Sequence, residues 1–104
     1  MATSARLTQI EAMIAEDPAD VMLHYMLGME QTSLGDDAAA VAVFRAIVER
    51  EPYVPAYHMA GQALARQGQL EDAAAMLKDG IEAARAVQDF HALGEMEALL
   101  ATVD

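Results

Sequence analysis

Apolar residues recur along this chain at intervals of three and four, the period of a helix that buries one side. Leu7, Ile10, Met13 and Ile14 open the series, and Val41, Phe44, Ile47 and Val48 reproduce its spacing 34 residues later. No segment alternates apolar and polar residues as a half-buried strand does. The interruptions are Asp17-Pro18, Gly35, Pro52 and Gly68; a proline disfavours helix at the residue before it. The pattern predicts an all-α chain of about six helices, over 4–16, 20–33, 37–50, 54–67, 70–87 and 90–102. Ser4 is placed to cap the first. Asp36-Asp37 and Glu71-Asp72 bring negative charge to the starts of two others.

The series is a repeat. Leu27-Gly28, Ala60-Gly61 and Leu93-Gly94 stand 33 residues apart, and Gly35, Ala40 and Phe44 recur as Gly68, Ala73 and Leu77. Each glycine sits in a face spaced i, i+3, i+4, i+7: His24, Leu27, Gly28, Gln31, then Tyr57, Ala60, Gly61, Leu64, then Phe90, Leu93, Gly94, Glu97. A glycine inside a helix costs about 1 kcal/mol relative to alanine. Three at one repeat position predict that another helix backbone passes close by. Ala40 and Ala73 would offer it a small surface, with Phe44 and Leu77 as the large fillers. Residues 4–16 align with the second helix of a repeat whose first helix is missing.

The pattern His24-x2-Leu27-Gly28-x2-Gln31, then Gly35, Ala40-x3-Phe44 and Pro52, resembles the tetratricopeptide repeat. A second copy is Tyr57-x2-Ala60-Gly61-x2-Leu64, Gly68, Ala73-x3-Leu77, with Arg85 in place of the closing proline, so its second helix is expected to run on. The chain divides as one domain, 1–104: a half-repeat helix at 4–16, repeat one at 20–52, repeat two at 54–87 and a capping helix at 90–102. As a whole it is similar to small stand-alone bacterial proteins of this family. The resemblance implies a right-handed superhelix of antiparallel helix pairs, an α-solenoid, whose first helices line a concave face that takes a peptide or a partner helix.

Charge and composition narrow the partner. Seventeen acidic residues against six basic ones leave a net charge of -11. That excludes a phosphate-binding surface for nucleic acid and disfavours anionic membranes. There is no cysteine, hence neither disulfide nor thiol chemistry. The start of the chain lacks the basic and apolar stretches of an export signal, and no apolar run reaches the roughly 20 residues of a membrane helix. A cytoplasmic protein is the default expectation. No phosphate loop, cofactor fingerprint or spaced nucleophile–base pair is present, so neither a cofactor nor a catalytic residue is assigned.

The stripe beside the packing face supplies the candidate groove: Met22, Tyr25 and Met29 in repeat one, His58 and Gln62 in repeat two, His91 and Glu95 in the last helix. Tyr25, His58 and His91 form one column, and Met29, Gln62 and Glu95 the next, so one end is apolar and the other polar. Methionine adapts to varied partners, whereas Met13, Met26, Met59, Met76 and Met96 are expected to fill the core. Truncating Tyr25 and Met29 together is expected to cost little stability. The family's clamp for C-terminal carboxylates uses lysine and asparagine on this stripe. Here Lys78 is the only lysine, on a second helix, and asparagine is absent, which argues against that activity. His24 reads as a packing residue. The expected function is a non-catalytic module for protein–protein interaction with a neutral or basic peptide or helix. A self-associating assembly module, a homo-oligomer joined through the apolar excess of helix 90–102, is the alternative. A metal-dependent enzyme would rest on His58, His91 and Glu95 alone, and no metal site is assigned.

Overall fold

Side-chain caps open four of the six helices. In the structure, a computed structural model that describes residues 3–104, the Ser4 hydroxyl accepts from the Leu7 amide at 3.0 Å and opens α1 (Ala5–Glu16). Asp20 caps α2 (Val21–Ser33) through the Met22 amide, and Asp36 caps α3 (Asp37–Arg50) through that of Ala39. Pro55 lies in the first turn of α4 (Val54–Arg66), where a missing N–H leaves no helical bond unmade. Glu71 and Asp72 lie in the first turn of α5 (Leu70–Ala86), and Asp89 caps α6 (Phe90–Val103). Six helices and no strand make up the described residues, an all-α fold. With no proline to stop it, α5 reaches 17 residues against 14 for α3, which ends before Pro52.

Three of the five turns share one closure. Gly35 and Gly68 end α2 and α4 in the left-handed region, at φ 79° and 76°. There the Asp36 amide donates to the Gln31 carbonyl and the Gln69 amide to that of Leu64. The turn between α5 and α6 closes alike, Asp89 onto Ala84, but places Gln88 at φ 61°.

Helices joined by such short turns pack in chain order, α1 on α2 and so on to α6, which also reaches α4. Phe44, Leu64, Leu77 and Met96 are almost wholly buried. Two apolar clusters, one around Phe44 and one around Leu77, share Tyr57 and Val103 at their border. Arg66 on α4 bonds both carboxylate oxygens of Asp37 on α3, at 2.9–3.2 Å.

The repeated glycines behave differently from the sequence expectation. A Cβ on Gly28 would stand 2.5 Å from Phe44 Cε1, and one on Gly61 2.5 Å from Leu77 Cδ2. The close neighbour is thus a large side chain, not a backbone. Gly94 has nothing within 4 Å of such a Cβ, because no helix follows α6 among the described residues. Gly80, outside the repeat pattern, is the third crowded glycine: Met96 Sδ and Tyr57 Cβ would each lie 2.6 Å away. Met13 is 40% exposed rather than core, since α1 has a helix on one side only. Met76 and Met96 are buried as expected, and Met26 and Met59 half-buried. Among the described residues, no helix is long and apolar enough to cross a membrane.

Candidate functional site

Along its whole length α2 borders, with Arg6 of α1, an open cleft of about 500 Å³, lined by Arg6, Met22, Tyr25, Met26, Met29, Glu30 and Ser33. Met22 and Met29 are exposed, at 51% and 41%, two turns apart on one helix face. Between them Tyr25 forms the floor. Its ring packs on Phe44 with centroids 5.7 Å apart and on Tyr53, edge to face, at 5.3 Å. Burial, and secondly Tyr53, raise the Tyr25 phenol above its ordinary value of 10.0, so it stays neutral. The Tyr53 hydroxyl reaches Met22 Sδ at 3.9 Å.

One wall is polar and joins two helices. The Glu30 carboxylate of α2 accepts from Ser4 Oγ at 3.0 Å and pairs with Arg6 Nε at 3.3 Å. Glu30 is mostly covered while Arg6 is largely exposed. Two partners satisfy the half-desolvated carboxylate, and α1 is held against α2 at that point. These cleft residues lie outside the sequence-assigned stripe. Arg6 and Glu30 stand 24 positions apart on different helices, and no periodicity links such a pair. Met26, expected in the core, is half-buried and lines the cleft.

Of the seven sequence-assigned groove residues, Met22, Tyr25 and Met29 come together here. The other four form two pairs elsewhere. Gln62 and His58 on α4 are half-buried and bonded at 3.2 Å through Gln62 Nε2 and His58 Nε2. His91 and Glu95 on α6 lie 3.1 Å apart and are both well exposed. Neither pair lines the cleft. Among the described residues, no three His, Cys, Asp or Glu side chains are grouped as metal ligands. His24 donates from Nε2 to the Pro18 carbonyl at 2.8 Å, tying α2 to the preceding turn. The expectation that Tyr25 could be truncated cheaply is corrected: its ring contacts Phe44 and Tyr53, so its loss also opens the core. Chemically, the cleft offers three flexible thioethers, a neutral phenol and a charge pair, all groups of contact.

The sequence profile of the tetratricopeptide repeat matches residues 23–53 and 54–87. No curated protein matches the chain. Among solved structures, the chain is similar to a tetratricopeptide repeat domain protein from Salinibacter ruber. The solution structure of that protein is 28% identical, with 85% of this chain and 90% of that one covered and a TM-score of 0.78. Its crystal structure gives 27%, 81%, 96% and 0.76. A Bordetella parapertussis protein, 24% identical, shares the fold over 97% of this chain and 89% of its own, with a TM-score of 0.83.

Proposed function

Because the chain belongs to the tetratricopeptide repeat family, whose repeats mediate protein–protein interaction, we propose that it is a non-catalytic module binding a peptide or helix across α2. The observation that carries this reading is the pair of exposed methionines over an aromatic floor. Surface methionines in a preformed cleft exchange water for a partner's apolar side chains at little rearrangement. His58, Gln62, His91 and Glu95 would extend recognition to a polar stretch of the same ligand beyond the cleft. The net charge favours a neutral or basic partner.

Selection from a displayed peptide library yields ligands against which the reading is tested. Met22→Ala/Met29→Ala should leave the thermal midpoint almost unchanged, because both side chains are exposed. It should weaken the selected peptides by roughly thirtyfold, the size of a 2 kcal/mol anchor. Ligands that bind this variant as well as the parent protein would sink the proposal. Self-association has less to rest on than the sequence suggested. Leu93, Leu99, Leu100 and Val103 of α6 pack against the Leu77–Ile81–Ala84 cluster, which absorbs most of that helix's apolar excess.

A further inference from the structure

The slot of the repeat is filled twice and open once. Phe44 follows Gly28 by 16 residues and fills its slot; Leu77 follows Gly61 by 16 and fills the next. At Gly94 no atom lies within 4 Å of where a Cβ would stand. The positions around it repeat the contrast. Leu64 is 1% exposed, whereas its counterpart Glu97 is exposed; Tyr57 is half-buried, whereas its counterpart Phe90 is 64% exposed. The outer face of α6 is thus shaped to receive a second helix.

Charge selects what that helix is. α6 contains no lysine or arginine, and its charged side chains are Glu95 and Glu97, flanked by Asp89 and Asp104. Glu97, one turn beyond the slot, makes no ion pair among the described residues. A second copy would bring its own net charge of -11 against these carboxylates. We infer that the outer face of α6 docks an amphipathic helix of another protein, with one large apolar side chain over Gly94 and basic side chains at its edges. The Gly94 slot is separate from the methionine cleft on α2, although Glu95 is used by both readings, and its occupant does not depend on the function proposed for that cleft. A knob entering a hole on a helix surface needs no movement of the receiving backbone, and the basic edges add attraction that salt weakens.

The probe follows from the repeat itself. A synthetic peptide of residues 36–51 carries Phe44, the native filler of the equivalent slot. Changing its Ala42→Lys, Ala46→Lys and Glu49→Lys, all exposed in the fold, gives it basic edges. Titrated into the full chain, this peptide should bind saturably, more tightly than the unsubstituted peptide, and less tightly as salt rises. Gly94→Leu in the protein should weaken it by about tenfold or more, as should Phe44→Ala in the peptide. Phe90→Ala, which removes an exposed side chain one turn from the slot, is the second variant and should lower affinity as well. Met22→Ala/Met29→Ala should have no effect. Absence of binding, or binding indifferent to both Gly94→Leu and Phe90→Ala, overturns the inference. So does binding lost with the two methionines, which would assign the peptide to the cleft. Sedimentation showing a dimer that Gly94→Leu dissociates would replace the foreign helix with a second copy.

Discussion

Gly28 and Gly94 occupy the same position of the same repeat, yet one is sealed by Phe44 and the other faces open space. The difference is the neighbouring helix: α3 brings Phe44 against Gly28, whereas no described helix packs on Gly94. A glycine creates a hole in a helix surface, and the hole becomes core only when a following helix supplies the knob. α2 and α4 are therefore covered on the slot side, and α6 is not. The same Leu-Gly pair gives core in one place and surface in another, and local propensity has no bearing on which.

The largest test of this contrast removes a knob. Phe44→Ala should lower stability by about 3–5 kcal/mol, since a fully buried ring leaves a cavity that backbone cannot close. Urea unfolding measures it, and a loss below about 1 kcal/mol would mean the slot is not packed as described. Filling the hole comes next. Gly28→Ala should cost about 1–3 kcal/mol, because its methyl would meet a rigid ring at 2.5 Å.

Between the repeats, Gln31 stands where Leu64 does, and its Oε1 is buried with no hydrogen-bond partner. Gln31→Leu should therefore stabilise the fold by about 1–2 kcal/mol. An unchanged or lower midpoint would show that the amide is satisfied. Gly94→Ala should raise stability by up to about 1 kcal/mol, through helix propensity alone. Opposite signs for Gly28→Ala and Gly94→Ala are the sharpest form of the comparison.

The smallest effect is pH-dependent and belongs to the floor of the cleft. Burial, and then Tyr53, hold the Tyr25 phenol above its ordinary 10.0. The folded state therefore retains that proton longer than the unfolded chain. The associated stability is complete below pH 10.0 and is lost as pH rises through the folded value. Thermal midpoints should fall above that pH, and Tyr25→Phe should flatten the decline. An equal slope in both proteins would remove Tyr25 as the cause.

The helices were legible because their signals are local. Period-three-and-four apolar positions, Ser4 as a cap, acidic residues at helix starts, and glycines at the two left-handed turns all act within a few residues of chain. The repeat spacing made Phe44 and Leu77 identifiable as fillers before any contact was seen. Three of the seven cleft residues were legible for the same reason: Met22, Tyr25 and Met29 share one face of one helix. The polar wall was not, because Arg6 meets Glu30 only once α1 is docked on α2. Gln88 in the left-handed region was equally hidden, since side-chain type there favours glycine and the closure of the α5–α6 turn overrides it.

What this sequence determined by itself is the period: which residues form helices, where they stop, and which positions are small or large. What tertiary structure decided is coverage. Gly94, Met13 and Tyr25 are each ambiguous in one dimension, because a hole, a thioether or a ring is core or surface according to how many helices reach it. That number depends on neighbours distant in the chain, and burial energy follows the area those neighbours actually remove from water.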